Sequence, residues 1–568
     1  YISFRTSQAS AVCKRYTIML FNGATYDYIV VGTGTAGSIL LNRLTEMAGV
    51  EVLGIEAGGD PPFESEIPPL FPYLAKTAID WNYTAKDDGY TAQYRRTEYL
   101  DLPSGKTVGG SGILDHFYLV RGDSSDYDSW VQAAGDDSWS FDNLLPYFKK
   151  SENYQGDDSW NEDIYNYHGF NGNVEITKED RDLPSNYLTA FAEVGNDVVN
   201  NVNTGRSLGF TRPMYTYSRS GIRQSTAESY LSPAKDRSNL HLIKDTLVIK
   251  VLIDERSLAT GVQCMRSDGT IFNVYARKEV ILSAGALNSP KILQASGIGP
   301  ASFLESMGIP VIVDLPVGDN LEDHMAIILA HKMEPTNDTA PTDPRKFPVP
   351  SFIGFGALDK TLGKPDYLTL NLICRNSPAA LMQLTTLVFG LHEDVCEQLY
   401  AAGDGYEVLF TVLTKGRPLS HGTVRLRSLD PLDPPEITTG FLSNEIDLED
   451  SAAFIQDYIK VTESSYFRSV GGETVRFSIP NCNNLEWNTI DYWKCYILHM
   501  MDTTFHYSST CRMGSVLDSR LLIRGVSNLR VVDASAMPNI ISGNIIAGVM
   551  ALAEKAADLI KENNEVVV

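Results

Sequence analysis

The fold is decided by Tyr26-Asp-Tyr-Ile-Val-Val-Gly32-Thr-Gly34-Thr-Ala-Gly37, a short apolar strand pattern that runs directly into a glycine-rich turn. The helical pattern of Ser38 to Met47 follows the turn. In such a strand-turn-helix unit, Gly32 allows the tight turn, Gly34 lets the backbone approach a pyrophosphate, and Gly37 lets helix and strand pack closely. The helix N-terminus adds amide donors and a positive dipole. The stretch therefore predicts a dinucleotide-binding βαβ unit.

A second apolar strand pattern, Val52 to Glu56, ends in an acid placed to bind ribose hydroxyls, roughly 20 residues after the turn. We include Thr35 of the turn and Ala57, next to the acid, among the cofactor-binding residues. These residues alone leave NAD and FAD both open. The chain has no obvious second glycine turn of this kind, so we expect one dinucleotide, which favours a flavin enzyme without a nicotinamide domain.

Length and charge narrow the class of protein. A chain of 568 residues is long enough for two or three domains, and its 43% hydrophobic and 21% charged residues are typical of a globular enzyme. The net charge of -24 disfavours nucleic acid and anionic membrane surfaces as partners. No run approaches the ~18 apolar residues of a membrane span. We therefore expect a small-molecule substrate and neither a nucleic-acid nor a membrane partner.

The seven cysteines form no CxxC pair and no tight cluster with histidine, so no metal site is expected. Cys374 with Cys396 and Cys482 with Cys495 could form local disulfides in an oxidising compartment, and the odd count leaves at least one cysteine free or paired between chains. Residue 1 is Tyr rather than Met, which suggests a processed chain. Sequons at Asn82 and Asn337 permit glycosylation.

Three further segments make the chain resemble the glucose/methanol/choline family of FAD oxidoreductases. Residues 105–115, continuing to Arg121-Gly122 and Asp128, resemble the family's first signature, a loop along the flavin ring. Residues 285–299 match its second signature, and 528–538 are similar to its last flavin-contacting strand. The resemblance spreads from residue 26 to residue 560 and implies FAD as the cofactor. It implies these further cofactor-binding residues: Val108, Gly110, Ser111, Asp115, Val248, Asp533, Ala534 and Asn544.

The first signature also departs from the family pattern. Asp115 stands where the family usually has Asn or His, and Leu119 stands where an aromatic residue or alanine is usual. Some relatives attach FAD covalently through a histidine at the position of Leu114, so we expect non-covalent FAD here. His116 is interpreted as a residue that packs or caps locally.

A catalytic pair is implied by the C-terminal part of the resemblance. Oxidation of a C–OH group removes a proton and a hydride, so a base is needed beside the flavin. His506 lies in the segment similar to the one that carries the family's active-site histidine, and Asn544 occupies the second position of the pair. Asn544 also suits the N-cap of a helix predicted at 545–560. His324, in another family-like stretch, is interpreted as structural or flavin-supporting.

The predicted fold class is α/β: a Rossmann-type FAD domain plus an α+β substrate domain with a mostly antiparallel sheet. The predicted bounds are an N-terminal extension at 1–25, FAD-domain segments at 26–180, 215–330 and 500–568 with a cofactor lid at 60–104, and a substrate domain at 331–499. We expect a monomer or homodimer.

The resemblance extends to the arthropod branch of the family, which includes secreted oxidases and glucose-type dehydrogenases, so we expect secretion. We predict that the enzyme oxidises a small alcohol, for which an aromatic cyanohydrin such as mandelonitrile is the specific hypothesis, and passes the electrons to dioxygen to give hydrogen peroxide. Three alternatives stay open: a sugar dehydrogenase with a quinone-like acceptor, a hydroxynitrile lyase that keeps FAD without redox, and a non-catalytic flavin-binding protein.

Overall fold

The computed structural model describes residues 22–97, 99–158, 161–335, 343, 345–375 and 377–565. Most of the predicted N-terminal extension, up to residue 21, lies outside these residues, and so do Cys13 and the sequon at Asn337. The second predicted sequon is described, and Asn82 is exposed.

Twenty-four strands are described, namely β1 Ala24–Val31, β2 Val52–Ile55, β3 Tyr83–Thr84, β4 Asp101–Leu102, β5 Glu152–Tyr154, β6 Val174–Lys178, β7 Gly209–Thr211, β8 Met214–Tyr215, β9 Leu240–Ile243, β10 Thr246–Ile253, β11 Ala259–Arg266, β12 Ile271–Leu282, β13 Ile298–Gly299, β14 Val313–Asp314, β15 Asp319–Leu321, β16 Met325–Met333, β17 Ser351–Gly356, β18 Tyr367–Arg375, β19 Glu407–Lys415, β20 Gly422–Arg425, β21 Glu436–Thr438, β22 Glu473–Thr474, β23 Asp502–Thr503 and β24 Leu529–Val531. The α-helices are α1 Thr35–Leu44, α2 Ser124–Ala134, α3 Phe141–Ser151, α4 Glu162–Tyr167, α5 Pro184–Glu193, α6 Ser232–Ala234, α7 Gly285–Ala295, α8 Ala301–Ser306, α9 Pro378–Gln383, α10 Glu393–Gly403, α11 Glu445–Tyr458, α12 Ser465–Ser469, α13 Ile490–Met500 and α14 Ile546–Glu565.

The first large sheet is the dinucleotide-binding sheet predicted from the N-terminal stretch. Its strand order is β10-β11-β12-β1-β2-β9, with β24 paired to β12, and β1 runs parallel to both of its neighbours. Ile29 and Val30 of β1 are fully buried because β1 lies in the middle of the sheet. Helix α14 packs against both α1 and α3, and the buried side chains of α1 and α14 belong to the same hydrophobic core as β1. This confirms the Rossmann-type α/β part of the fold.

The second large sheet is antiparallel, as the sequence predicts. Its order is β22-β16-β19-β18-β17-β7, with β23 also paired to β16. Helices α11 and α13 cover it, and its side chains form a second hydrophobic core. The predicted domain boundary at residue 330 falls inside β16, and β7 comes from residues 181–214, which no predicted domain contained. The second sheet therefore draws on more of the chain than the predicted substrate domain.

The cysteines follow one of the two predicted pairings. Cys482 and Cys495 form a disulfide. The predicted Cys374–Cys396 pair is wrong: both are buried free thiols, one on β18 and the other on α10. A sequence separation that permits a local bridge does not by itself bring the two side chains together. In the described part of the chain, no helix is long and apolar enough to cross a membrane.

Candidate active site

A cavity of about 490 Å³ brings the two predicted functional ends of the chain together. The ends of β1 and β2 line it on one side, and residues 504–507 line it on another. Of the predicted site residues, the cavity is lined by Gly32, Gly34, Thr35, Glu56, Ala57, Gly110, Ser111, Asp115, Val248, His506, Asp533, Ala534 and Asn544. Gly37 and Val108 are the two predicted residues that do not line it.

The glycine turn has the backbone geometry that the sequence predicts. Gly32 adopts φ +90°, which is strained for residues with a side chain. A Cβ on Gly37 would lie 2.0 Å from the carbonyl oxygen of Gly32, so only glycine fits between α1 and the turn. Gly37 therefore acts by packing rather than by lining the cavity.

Val108 does not line the cavity either. Its backbone N–H donates to the carbonyl of Gly59 at 2.9 Å, and its side chain belongs to the first hydrophobic core. The structure consequently leaves Val108 no group to offer the cavity from its amide or its side chain, because both are occupied within the protein.

Glu56 is buried at the end of β2 beside the turn. Its carboxylate accepts hydrogen bonds from the backbone N–H of Thr33 and of Gly58, each at 2.9 Å, and from the Thr33 hydroxyl. Burial raises the pKa of Glu56, whereas these donors act in the opposite direction and favour its charged form. A carboxylate fixed in this way can accept further hydrogen bonds from ribose hydroxyls.

The backbone of the first-signature loop, residues 105–115, approaches the backbone of the glycine turn closely. A Cβ on Gly110 would lie 2.6 Å from the Cα of Gly34. Such close approach of two backbones, next to the start of α1, leaves the bare amide surface that a pyrophosphate requires. The residues present therefore fit a dinucleotide cofactor.

Asp533 is placed at the start of a short 3-10 helix and lines the cavity, but its carboxylate is already occupied. It accepts from the Gly285 N–H at 2.9 Å, the Ser289 hydroxyl at 2.6 Å and the Ser535 N–H at 2.8 Å. We interpret the side chain as a clamp that joins this short helix to α7. Any cofactor contact at 533–534 then falls mainly to the backbone.

His506 and Asn544, 38 residues apart in sequence, contact each other across the cavity. The Asn544 amide nitrogen lies 3.1 Å from Nε2 of His506. Helix α14 begins at Ile546, and the carbonyl of Ile545 accepts its first hydrogen bond, so Ile545 rather than Asn544 occupies the N-cap position. The amide of Asn544 is thus available to the histidine and to a ligand.

A second histidine, His324, fixes the proton on His506. Nε2 of His324 lies 3.1 Å from the Gly416 carbonyl, which can only accept, so the His324 proton is on Nε2 and its Nδ1 is an acceptor. Nδ1 of His506 lies 3.0 Å from that acceptor and 2.9 Å from the Thr504 hydroxyl, which itself donates to the His324 carbonyl. The network places the proton of neutral His506 on Nδ1 and leaves Nε2 with its lone pair toward the cavity.

Burial and the neighbouring histidines keep this group neutral. Desolvation, followed by the repulsion of His324 and His116, lowers the pKa of His506 well below its usual value, and burial lowers that of His324 to about 4. The backbone N–H of His506 donates to Asp323 at 2.8 Å, which fixes the position of the residue. Phe505 before it adopts φ +65°, a strained conformation for a residue with a side chain.

Aromatic side chains form the wall beside His506. The His116 ring centroid lies 4.6 Å from that of Phe71 and 6.1 Å from that of Phe505. Leu387 and Val388 also line the cavity, as do Pro72 and Trp81 of the predicted 60–104 lid. Asp115 is ion-paired with the buried Arg223, so its charge is compensated. The chemistry at this end suits an uncharged ligand with an apolar body.

The sequence patterns missed most of this wall and the role of His324. His324 and His506 are 182 residues apart, and neither spacing nor residue type indicates that they touch. Phe71, Phe505 and Leu387 are ordinary core residues by type, and only the packing of distant segments brings them to the cavity. His324 lies in a family-like stretch, but its predicted structural or flavin-supporting role omits the contact with His506.

The chain is similar to known proteins over most of its length. Two family models described as GMC oxidoreductase match residues 26–326 and 418–553. The chain is 37% identical over 567 residues to an ecdysone oxidase of Bombyx mori, covering 96% of this chain and 83% of that protein. It is 32% identical over 554 residues to a glucose dehydrogenase [FAD, quinone] of Drosophila melanogaster, covering 94% and 87%.

Two solved structures of oxidases have the same fold as this chain. A formate oxidase of Aspergillus oryzae superposes with a TM-score of 0.82 at 26% identity and covers 97% of this chain and 100% of its own. A pyridoxine 4-oxidase superposes with a TM-score of 0.78 at 26% identity and covers 94% of this chain and 98% of its own.

Proposed function

The chain belongs to the GMC oxidoreductase family, FAD-dependent enzymes that act on alcohol groups, and from this premise we propose that it oxidises a neutral, largely apolar alcohol with His506 as the base. The observation that carries the proposal is the hydrogen-bond chain from Gly416 through His324 to His506, which leaves Nε2 of His506 as an acceptor in the cavity. A base must meet the hydroxyl proton with its lone pair, so the substrate hydroxyl would take the place of the Asn544 amide on Nε2.

In this proposal, the hydroxyl of the substrate donates to Nε2 of His506, and the Asn544 amide donates to the same oxygen. Proton transfer to Nε2 creates an imidazolium, whose Nδ1–H remains held by Thr504 and His324. The amide of Asn544 stabilises negative charge on the oxygen as the proton leaves. FAD, when bound, supplies the acceptor for the carbinol hydride.

The same residues are proposed to hold the cofactor. Glu56 would bind the ribose hydroxyls, the turn at Gly32 and Gly34 with Thr35 would receive the pyrophosphate, and Val248 would contact the adenine through its backbone. The loop at Gly110, Ser111 and Asp115 would lie along the flavin ring. Because Leu114 has no nucleophilic atom, we propose that FAD is held non-covalently.

The substrate class follows from the wall beside His506. Phe71, Phe505, Leu387 and Val388 present apolar surface beside His506. The proposed substrate therefore carries its hydroxyl on or next to a ring system, as in an aromatic alcohol such as mandelonitrile. A steroid alcohol is the second candidate, because the ecdysone oxidase match covers 96% of this chain.

We propose dioxygen as the electron acceptor and hydrogen peroxide as its product. Secretion is also proposed: the Cys482–Cys495 disulfide is typical of an oxidising compartment, and the sequon at Asn82 is exposed. A glycosidase that removes N-linked glycans should lower the mass of the native protein, and Asn82→Gln should reduce that shift.

One experiment separates the candidate functions. The holoenzyme is mixed anaerobically with mandelonitrile, benzyl alcohol, ecdysone and glucose while the flavin absorbance is followed, and air is then admitted and peroxide assayed. Bleaching by an apolar alcohol, followed by peroxide in air, is the expected result. Bleaching by glucose alone would contradict the substrate class, and bleaching that air does not reverse would contradict the oxidase. Aldehyde release without bleaching would indicate a lyase.

A further inference from the structure

His116 is held in the cavity wall by both of its neighbours in the chain. Before it, Asp115 is ion-paired with the buried Arg223, which also donates to the Asp115 carbonyl at 2.9 Å. After it, Phe117 is fully buried, adopts φ +70°, and lies under the Arg223 guanidinium at 3.8 Å. Because the flanking residues are fixed, the imidazole of His116 has a defined position.

The His116 ring faces the cavity between two aromatic rings and has no polar partner. Its neighbours are Phe71 and Phe505, the residue directly before the proposed base. Neither ring nitrogen of His116 is hydrogen-bonded to any residue that the structure describes, and the residue lines the cavity. Burial, assisted by the positive charge of Arg223, lowers the pKa of His116 to about 4. The ring is therefore neutral near neutral pH and offers one donor and one acceptor.

His331, a fully buried histidine, shows why a ring nitrogen needs access to the cavity to bind a ligand. Both ring nitrogens of His331 also lack partners, but this residue is enclosed by Tyr458 and Phe467 and is not among the cavity-lining residues. No ligand can reach it there. His116 differs because its ring is only partly buried and faces the cavity, where a ligand can reach its nitrogens.

We propose that His116 is a specificity-determining residue that hydrogen-bonds a second neutral polar group of the substrate, apart from the hydroxyl that is oxidised. The inference rests on the proposed function, since it places the substrate beside His506. It refines the substrate class: an apolar alcohol that also carries a nitrile, carbonyl or second hydroxyl is preferred over its counterpart without that group. A neutral second group is favoured over a charged one, because the charge of Asp115 is compensated by Arg223.

The test compares mandelonitrile with 1-phenylethanol, which share the phenyl ring and the carbinol and differ only in nitrile against methyl. Anaerobic stopped-flow reduction of the holoenzyme gives the limiting rate and the substrate dissociation constant for each alcohol. The same measurements are made on His116→Phe, which keeps a planar ring between Phe71 and Phe505, and on His116→Asn, which keeps a donor and an acceptor. The intrinsic reactivities of the two alcohols cancel in the ratio between enzymes.

We expect His116→Phe to reduce the preference for mandelonitrile by about tenfold, mainly through its dissociation constant, with 1-phenylethanol nearly unaffected. His116→Asn should restore part of the preference. An equal change for both alcohols in His116→Phe, or no change for either, would overturn the inference. Wild-type enzyme that neither alcohol reduces would instead contradict the proposed aromatic substrate, and this inference with it, before any variant is compared.

Discussion

The two ends of the cavity are built in different ways. At the glycine turn, the structure offers backbone amides and one carboxylate from residues 32–58, which are close together in the chain. At the base, it offers side chains from residues 324, 504, 506 and 544, brought together by the packing of the second sheet and helix α14. The first end depends on steric fit of the backbone, and the second on where single protons lie.

The difference between the two ends predicts that the largest loss of stability and of bound FAD follows from a methyl group added at Gly37. Gly37→Ala places a Cβ 2.0 Å from the Gly32 carbonyl oxygen, so α1 must separate from β1. We expect a loss of stability of ~3 kcal/mol or more and protein that retains little FAD. The ratio of flavin to protein absorbance measures this.

Gly59→Ala is the matched control, because its Cβ would meet its nearest neighbour, Asp245, only at 3.6 Å. It should bind FAD as the wild type does. Equal FAD content in the two variants would show that the fit at Gly37 is not limiting.

At the other end, the FAD that Asn544→Ala retains should be reduced about 100-fold more slowly than in the wild type. The amide that lies 3.1 Å from Nε2 of His506 is lost, and with it the donor to the substrate oxygen. Asn539→Ala is the matched control, because the Asn539 amide donates to the Ser129 hydroxyl and not to His506. Its rate of flavin reduction should be that of the wild type. A normal rate in Asn544→Ala would restrict that residue to a structural role.

A smaller effect is expected at the second histidine. His324→Leu removes one of two acceptors for the Nδ1 proton of His506 and leaves the Thr504 hydroxyl, so we expect about a tenfold slower reduction. Adding Thr504→Val removes the second acceptor and should slow reduction further. His331→Leu, at a buried histidine without polar partners, is the control and should leave the reduction rate unchanged. Equal rates of flavin reduction in His324→Leu and His331→Leu would show that the hydrogen-bond network around Nδ1 does not control the reactivity of His506.

The smallest effect concerns stability and pH. Burial raises the pKa of Asp323 to about 7, so the folded protein holds a proton that the unfolded chain loses above its ordinary pKa of about 4. This group therefore destabilises the fold increasingly as pH rises from about 4 to about 7. Asp323→Asn removes the penalty and keeps an acceptor for the His506 N–H.

The melting temperature of Asp323→Asn should exceed that of the wild type by about 2–4 °C at pH ~8, with little difference at pH ~4. The rate of flavin reduction should change by less than about twofold, because the backbone position of His506 is retained. A lower melting temperature at high pH would show that ionised Asp323 stabilises the fold.

The same difference between the two ends explains what could be predicted from the sequence. The strand β1, the turn at Gly32 and the acid Glu56 follow one another in sequence, so their spacing determines their geometry. His506 and Asn544 were identified only through family resemblance. Packing between segments that are far apart in sequence determines the acceptor role of His324, the aromatic wall and the exposure of the His116 ring to the cavity. Residue type alone does not indicate any of these features. The second-sheet boundary was missed for the same reason, since β7 and β16 join it through tertiary pairing.

The central claim is that His506 removes the hydroxyl proton, and the most direct measurement is anaerobic reduction of His506→Ala by the best alcohol of the panel. The variant should retain wild-type FAD content and reduce its flavin about 10²–10⁴-fold more slowly, because a general base contributes on that order. A near-normal reduction rate with normal FAD content would contradict the assignment of His506 as the base.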